Sequence, residues 1–512
     1  MRRTGLAIVA VAVGLIAVVA VAFALTPGEA MTVGENSFVN REGIIDVSNS
    51  PTMAYNPARP GNVITTYRKD RPGYGGFIGY SFDSGATWEQ AVLPVPAGTS
   101  GCTASQGELC PFGPDATFGP DGTLYVTYVN LQGNGNRPDN LWLSTSTDGG
   151  RTLSLPTKIT GALAFMARVT VDPKGPVYIT WLQADEVGLF RFAGKPPKIL
   201  VARSDDGGHT FAPPVTASDA QRERIEAPSP VIDASGQLVI MYEDLKANRR
   251  DYEYAPGPAA ELPFALVLTR STDGGRTFTP GAEFETDILA TRRFLPFLPE
   301  LPQLAASPSG KLYATWADGR GGDDDVYLRS SADGGRTWAP PVKVNNNGPD
   351  GTAQFLPKID IGPGERVSIV FLDGRNDPGA KKKLDAYLAT STDGGKSFTN
   401  VRLSTKSFDD DIGPTFGVEY GIDFGTRLGL AHGGGKLYAA WVDTSAGSTA
   451  TGRQDVNSAT VTLPTEGPRT LVLGVIAVVL LGLGAAGLLR ARSGRGTPST
   501  RTDAQNRQVV TS

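Results

Sequence analysis

Short segments of alternating apolar and polar residues recur along the chain, and each ends in an aromatic residue. The seven clearest are "NVITTY" (62–67), "TLYVTY" (123–128), "PVYITW" (176–181), "QLVIMY" (237–242), "KLYATW" (311–316), "RVSIVF" (366–371) and "KLYAAW" (436–441). A period of two with β-branched and aromatic side chains is typical of half-buried β-strands. Each segment follows a Gly-containing turn, so the pattern predicts many short antiparallel strands.

A second pattern, S-x-D-x-G-x-[TS]-[aromatic], recurs between these segments. Its six copies begin at Ser81, Ser146, Ser204, Ser271, Ser331 and Ser391, and Leu153 is the one non-aromatic ending. The first and sixth copies are five repeats apart, which gives a mean spacing of 62 residues. A repeat of this length holds four short strands, and four-stranded sheets repeated around an axis form a β-propeller.

The repeat length predicts an all-β, seven-bladed β-propeller over residues 31–465. The segment "DVNSATVTL" (455–463) lacks the repeated turn, so we expect a strand from the N-terminus, "EGIIDV" (42–47), to complete the seventh blade. Closing the ring in this way removes two exposed sheet edges. A six-bladed sialidase-type propeller with an extra sheet is the alternative.

The repeated turn has a structural logic of its own. Its aspartate can accept hydrogen bonds from backbone N–H groups of the same turn, and its serine can do so more weakly. Its glycine permits a positive φ, and its closing aromatic residue can fill the space between neighbouring sheets. The six aspartates are Asp83, Asp148, Asp206, Asp273, Asp333 and Asp393. None of these properties requires a substrate.

This motif is similar to the Asp box, also called the bacterial neuraminidase (BNR) repeat, and the chain resembles the sialidase superfamily over nearly all of residues 51–465. In that family the Asp box lies in the turn between the third and fourth strands of a blade, on the face away from the active site. The resemblance therefore implies a structural role for the six aspartates and directs the search for function to the opposite face.

The two ends of the chain carry long apolar segments. Residues 6–25 follow Arg2 and Arg3 and predict a secretory signal peptide or an N-terminal membrane anchor within residues 1–30. Residues 470–489 are uncharged and long enough to predict a transmembrane helix, and the basic residues that follow predict a short cytoplasmic tail over 490–512. The propeller is thus expected at the cell membrane, on its extracytoplasmic side, flanked by hydrophobic helices.

The cysteines and the net charge add two further expectations. Cys102 and Cys110 lie eight residues apart, and an oxidising compartment favours a disulfide between them, with two free thiols as the alternative. The formal net charge of −4 gives no indication of a nucleic-acid-binding surface.

Charged loops between the predicted second and third strands are candidates for ligand binding. "WADGRGGDDDVY" (316–327) and "FLDGRNDPGAKKKLDAY" (371–387) share an aromatic-x-Asp-Gly-Arg core, which contains Asp318, Arg320, Asp373 and Arg375. Three interpretations stay open. The loops form a solvated surface with local Asp–Arg pairs, or the arginines bind a carboxylate. The third interpretation is that calcium binds the acidic run Asp323, Asp324 and Asp325 or the run Asp409, Asp410 and Asp411. No other cofactor is predicted.

The resemblance implies what a catalytic site would need: three arginines for the substrate carboxylate, a tyrosine nucleophile paired with a glutamate, and an aspartate as acid/base. The family's early Arg-Ile-Pro motif is absent here, and the nearest early arginine, Arg68, follows a predicted second strand. Residues of the required types that stand before or within predicted first strands are Asp115, Arg168, Glu226, Arg293, Glu300, Glu419, Tyr420 and Arg427.

Other hydrolytic chemistries find little support. The chain has two histidines, no H-E-x-x-H motif and no G-x-S-x-G elbow, and we interpret His432 as a turn residue. The sequence thus predicts a membrane-tethered propeller that recognises a glycan or protein ligand at the cell surface. The alternative is an exo-sialidase-type glycoside hydrolase acting on sialylated or related acidic glycans.

Overall fold

Alternating segments of the chain form antiparallel strands that pack face to face around one axis. The computed structural model describes residues 31–40, 43–96, 109–132, 137–188, 191–249, 252, 262–289, 301–322, 324–348, 351–414 and 423–464. The predicted hydrophobic helices at 6–25 and 470–489, and the tail after them, lie outside these residues. Within them, no helix is both long and apolar enough to cross a membrane.

The described strands form seven radial sheets, which confirms the seven-bladed, all-β propeller, and the six-bladed alternative is wrong. After β1 (Thr32–Val33) and β2 (Ser37–Phe38), blade 1 contains β3 (Val47–Asn49), β4 (Ala54–Tyr55), β5 (Val63–Arg71), β6 (Gly75–Ser81) and β7 (Glu89–Val92). Blade 2 contains β8 (Leu109–Phe118), β9 (Leu124–Gln132), β10 (Pro138–Ser146) and β11 (Thr157–Thr160). Blade 3 contains β12 (Ala164–Val171), β13 (Val177–Gln183), a side hairpin of β14 (Glu186–Gly188) and β15 (Arg191–Ala193), then β16 (Lys198–Ser204) and β17 (Val215–Thr216).

The remaining blades repeat this order. Blade 4 contains β18 (Ile225–Ile232), β19 (Leu238–Asp244), β20 (Phe264–Ser271) and β21 (Ala282–Ile288). Blade 5 contains β22 (Gln303–Ala306), β23 (Leu312–Asp318), β24 (Asp325–Ser331) and β25 (Val342–Lys343). Blade 6 contains β26 (Gln354–Gly362), a 3₁₀ turn (Pro363–Glu365), β27 (Arg366–Asp373), β28 (Lys383–Ser391), β29 (Thr399–Arg402) and β30 (Phe408–Asp409). Blade 7 contains β31 (Gly429–Gly433), β32 (Lys436–Asp443) and β33 (Asp455–Thr462).

The ring is closed by the N-terminal strands β1 and β2, whereas the predicted segment 42–47 contributes only a bridge between Val47 and Gln454. Strands β1 and β2 pair with β33, so that Val33 lies opposite Val461 and Phe38 opposite Asn457. The prediction failed because Ile44 and Ile45 lie in a turn and are exposed, so they pack against neither neighbouring sheet. The end of that segment begins β3, which pairs with β5 in blade 1.

The aromatic-ended segments are the second strands of the seven blades. Their closing residues are at most 1% exposed and comprise Tyr67, Tyr128, Trp181, Tyr242, Trp316, Phe371 and Trp441. The sequence predicted half-buried strands, and this prediction was wrong for strands such as β19 and β27, which are buried along their whole length. Each sheet lies between two neighbouring sheets, so both of its faces are covered.

Strand direction divides the propeller into two faces. First-to-second strand turns and the six repeated turns share one end of the sheets, which we call the turn face. Second-to-third strand loops and the connections between blades share the other end, which we call the loop face. This division follows from the antiparallel order of strands within each blade.

The six repeated turns share one hydrogen-bond pattern. In blade 2, Asp148 accepts bonds from the Thr152 backbone N–H at 3.0 Å and from the Thr152 hydroxyl at 2.7 Å, while the Ser146 hydroxyl accepts a bond from the Gly150 N–H at 3.0 Å. Equivalent bonds form in the other five turns. In blade 3, hydrogen bonds from Thr210 and Ser204 hold the pKa of the Asp206 carboxyl well below its usual range. The carboxylates are therefore occupied within their own turns.

Candidate ligand-binding site

Each blade contributes one side chain to a ring around the axis, which we call the waist ring. Its members all line the central channel and comprise Thr52, Asp115, Arg168, Ser229, Gln303, Lys358 and Arg427. They lie on or just before the first strands. Three of them, Asp115, Arg168 and Arg427, are candidates from the sequence, and the structure brings these three together.

A repeated backbone irregularity directs these side chains to the axis. In six blades, a residue with positive φ stands two positions before the ring member; these residues are Ser50, Gly113, Met166, Ala227, Leu356 and Gly425. In β8, β12, β18 and β26 the strand register shifts at the same point, as in a β-bulge. Four of the six are not glycine, and strained backbone of this kind tends to occur at functional sites.

The waist ring combines three cations with one carboxylate. The guanidinium of Arg427 has its Nη1 atom 3.7 Å from Asp115 Oδ1, beyond hydrogen-bond distance, and this buried atom has no hydrogen-bond partner. Arg168 Nη1 donates to the Ala167 carbonyl at 3.4 Å, and Lys358 Nζ donates to Gln303 Oε1 at 3.2 Å. Asp115 Oδ2 in turn accepts a bond from the Val169 N–H at 3.0 Å. Positive charge is therefore in excess, and its donors are mostly unused.

Burial is the main cause that lowers the pKa values of the ring's cations. Burial, together with repulsion from Arg168, lowers the pKa of Arg427 to about 9, although Asp115 opposes the shift. Burial also lowers the pKa values of Arg168 and Lys358, with Asp115 again opposing. A bound anion would reverse these shifts, because an opposite charge nearby favours the charged form of each cation.

The waist ring separates two cavities along the axis. The larger, of about 560 Å³, is lined by the second halves of the first strands and opens toward the turn face. The smaller, of about 80 Å³, is lined by the starts of first strands and the ends of second strands, on the loop-face side. Arg168, Thr426 and Arg427 line both cavities, so an anion arriving from either face can meet the same guanidinium groups.

The loop-face cavity contains a further buried arginine, which is ion-paired with two carboxylates although its Nε has no hydrogen-bond partner. Arg68, on β5, is paired with Asp423 and lies 3.3 Å from Asp70. Its guanidinium also lies over the ring of Phe112, 5.2 Å from the centroid, and Phe112 contacts Tyr74 edge to face. The sequence predicts no role for Arg68, because this arginine follows a predicted second strand.

Asp70 is a further residue that the sequence analysis missed. It accepts a hydrogen bond from Asn49 at 2.9 Å and lines the loop-face cavity with Arg68 and Tyr74. Burial raises the pKa of the Asp70 carboxyl, Arg68 opposes the shift, and Asp423 adds to it. A carboxyl that holds its proton to higher pH than usual is suited to donating that proton as a general acid.

No family model matches this chain, and no curated protein matches it. Among solved structures, it is similar to the Hadza microbial sialidase Hz136, at 16% identity over 80% of this chain and 75% of that chain, with a TM-score of 0.44. It is also similar to a protein of unknown function from Dyadobacter fermentans, at 14% identity over 85% and 100% of the two chains, with a TM-score of 0.46. A PL25 ulvan lyase gives 11% identity over 81% and 95%, with a TM-score of 0.46. Such likeness concerns the fold alone.

The other catalytic candidates predicted from the sequence are not seen at this site in the part of the chain that the structure describes. Arg293, Glu300, Glu419 and Tyr420 lie outside the part of the chain that the structure describes, so their roles stay predictions. Glu226 is buried at the start of β18, opposite Glu243 in the register. The structure thus assembles two arginines and one aspartate of the predicted set.

In both Asp–Arg loop pairs, the arginine forms an ion pair with its aspartate and hydrogen bonds with other protein groups. Arg320 Nε lies 2.8 Å from Asp318, and its other nitrogens bond Glu285 at 2.5 Å and the Thr286 carbonyl at 2.7 Å, in the preceding blade. Arg375 pairs with Asp373 at 2.6 Å and donates to Asn346 at 2.6 Å and to Asn400 at 3.2 Å. These contacts agree with local pairing, and ligand binding by Arg320 and Arg375 stays a prediction.

The predicted calcium site and disulfide are only partly within the described residues. Asp325 is paired with Lys343 at 2.7 Å, and Asp323 lies outside the description. Among the described residues there is no group of three or more acidic, His or Cys side chains that could hold a metal ion. Cys110 is buried in β8, whereas Cys102 lies outside the description, so the pairing stays a prediction.

His432 is not a turn residue but lies in β31. Its Nδ1 is 2.9 Å from Asp360 and its Nε2 is 3.1 Å from the hydroxyl of Ser368, an arrangement in the order Asp–His–Ser. Ser368 is completely buried, so no substrate can reach its hydroxyl. The three residues connect blades 6 and 7, and a serine-hydrolase role is not supported.

Proposed function

We propose that this protein is a membrane-tethered, extracytoplasmic propeller whose loop face binds an acidic glycan near the axis. The observation that carries the proposal is Arg427 Nη1, a buried atom that has no hydrogen-bond partner and lies 3.7 Å from Asp115 in a loose ion pair. Leaving a buried charged donor without a hydrogen bond is costly, and a planar guanidinium matches a carboxylate in geometry and charge. A carboxylate-bearing ligand supplies the missing partner.

The walls of the loop-face cavity are suited to a sugar acid. Tyr74 and Phe112 offer aromatic surface, while Arg168 and Arg427 offer donors, and binding sites commonly combine apolar walls with a few polar groups. The cavity's volume of about 80 Å³ is suited to the carboxylate group. In this arrangement the carboxylate enters the cavity and the sugar ring stays nearer its mouth.

The membrane tether rests on the sequence. Residues 470–489 supply an uncharged apolar span and the arginines that follow orient it, while residues 1–30 supply a signal peptide or a second anchor. Protease added to intact cells should degrade the propeller and spare an epitope tag placed after residue 512. The opposite pattern of protection would overturn this topology.

Binding by the full-length protein in detergent tests the proposed ligand class. N-acetylneuraminic acid and glucuronic acid are titrated against their neutral counterparts, with and without calcium, to include the open calcium prediction. The acids should bind at least ten times more tightly than the neutral sugars, because each guanidinium–carboxylate pair adds a charge-assisted hydrogen bond. Equal affinity for acidic and neutral sugars would contradict the proposal.

An exo-sialidase-type hydrolase is the second candidate, and Asp70 is the observation that favours it. Its raised pKa and its place in the cavity suit a general acid. In this account Tyr420 and Glu419 are the predicted nucleophile pair. A fluorogenic sialoside tests it: the wild type should release fluorophore, with a rate that falls as pH rises through the raised Asp70 pKa, and Asp70→Asn should abolish release. If the wild type releases no fluorophore, the hydrolase candidate is contradicted and only the binding function remains.

A further inference from the structure

The turn-face channel is larger than the loop-face cavity and ends on the same cations. At about 560 Å³ it has room for a small organic molecule as well as an inorganic ion. Its wall carries Lys358, Asp360 and His432, none of which lines the loop-face cavity. It is therefore a separate space with its own chemistry.

The channel's charges are unequal. Arg168, Lys358 and Arg427 face two carboxylates, Asp115 and Asp360. The Asp360 carboxylate is occupied by His432, through its backbone N–H at 2.7 Å and its Nδ1 at 2.9 Å. Three cations therefore face two carboxylates in the channel, and Asp115 is the carboxylate that is not also held by His432.

The donors at the inner end of the channel are available. Arg427 Nη1 is buried without a hydrogen-bond partner beside Asp115, and the Arg427 side chain is only 9% exposed. Lys358 has three ammonium hydrogens and uses one of them, for Gln303. The neutral ring members are satisfied within the protein, as Thr52 bonds Thr66 at 2.6 Å and Ser229 accepts the Leu304 N–H at 2.9 Å. The unused donors are thus concentrated on the cations.

We propose that the turn-face channel is a second binding site, for a small oxyanion group (phosphate, sulfate or carboxylate) held by Lys358 and Arg427. As at four other ring members, a residue with positive φ stands two positions before each of the two cations: Leu356 before Lys358 and Gly425 before Arg427. The anion adds negative charge where three cations face two carboxylates, and it accepts hydrogen bonds from donors that the protein leaves open.

Because Arg427 lines both cavities, the two sites are coupled. An oxyanion bound from the turn face takes up the guanidinium that an acidic sugar needs from the loop face, so the two ligands weaken each other. Thermodynamic linkage requires that the effect be equal in both directions.

The test is titration of full-length protein in detergent with sodium phosphate, sodium sulfate and sodium acetate, with sodium chloride at equal ionic strength as the reference. Phosphate or sulfate should raise the Tm in a saturable way that chloride does not reproduce. Lys358→Met should weaken this binding at least tenfold, whereas Lys396→Met, which removes an exposed cation of the turn face, should leave it unchanged. Acetate identifies whether a single carboxylate suffices.

The outcomes separate this site from the loop-face function. Tyr74 lines the loop-face cavity and not the turn-face channel. Tyr74→Ala should therefore weaken acidic-sugar binding and leave phosphate binding intact. If the protein binds phosphate but no sugar, the proposed glycan-binding function is contradicted and the turn-face oxyanion site is supported. A Tm shift that chloride matches, or one that Lys358→Met retains in full, would overturn the second site.

Discussion

Arg427 of blade 7 and Asp115 of blade 2 meet in the central channel with 3.7 Å between Nη1 and Oδ1, and they do not form a hydrogen bond. Both side chains are largely buried, at 9% and 15% exposure. A protein selected only for stability would close this gap or replace the pair with apolar residues, which often stabilises the fold. The open pair is what a site for an external anion requires.

Replacing Arg427 separates binding from stability. Arg427→Met should weaken acidic-sugar binding at least tenfold, because it removes an unused donor group. The Tm should stay unchanged or rise, because the variant also removes the repulsion between Arg427 and Arg168. Calorimetric titration and thermal unfolding of the same sample provide both quantities. A Tm that falls by several degrees would mean that Arg427 serves the fold.

Arg68 should behave in the opposite way. It pairs with Asp423 and Asp70 and is 1% exposed, so Arg68→Met leaves two buried carboxylates without their cation. Breaking one side of a buried ion pair costs about 3–5 kcal/mol of unfolding free energy. Chemical denaturation measures the loss. Arg68→Lys keeps the charge and should recover part of it, and equal losses in the two variants would argue against an electrostatic cause.

The repeated turns should matter for stability and not for binding. In Ser146→Ala the Gly150 N–H, which is buried, loses its acceptor, and Asp148 loses a donor at 2.8 Å. The expected loss is about 1–3 kcal/mol, the cost of an unsatisfied buried group. Thr147→Ala is the matched control, since this neighbouring side chain is exposed. A change in sugar affinity in Ser146→Ala would show that the turn reaches the site.

Closure of the ring can be tested where blades 7 and 1 meet. A Cβ at Gly433 would lie 2.1 Å from the Tyr55 ring, which stacks on Tyr438 at 5.9 Å. Gly433→Ala should therefore destabilise the protein by about 1–3 kcal/mol, as overpacked cores do. Gly348→Ala, where an added Cβ meets no atom within 4 Å, should be neutral. Equal Tm values for the two variants would indicate that the two blades are not tightly packed.

The blade count was readable from the sequence because two independent patterns recur at the blade spacing. The seven aromatic-ended segments are the second strands, and the six repeated turns lie between third and fourth strands. Ring closure was not readable, since β1 and β2 have two residues each and carry no alternating pattern. Short edge strands of this kind are specified by their partner, here β33.

The waist ring has a sequence feature that could have identified its members. A proline directly precedes the ring member in five blades: Pro51, Pro114, Pro228, Pro302 and Pro357. The positive φ of Met166 and Leu356 could not be inferred from residue type, because such residues rarely adopt it. Lys358 was therefore missed, whereas Arg168 and Arg427 were chosen for their charge and their place near first strands.

The central claim is that an acidic sugar binds the loop face through Arg168 and Arg427. The most direct measurement is the affinity of N-acetylneuraminic acid for the full-length wild type and for Arg427→Met, each compared with a neutral monosaccharide. The account predicts that the wild type prefers the acid at least tenfold and that Arg427→Met loses this preference while it unfolds at the same Tm or higher. Undiminished preference for the acid in Arg427→Met, or none in the wild type, would contradict it.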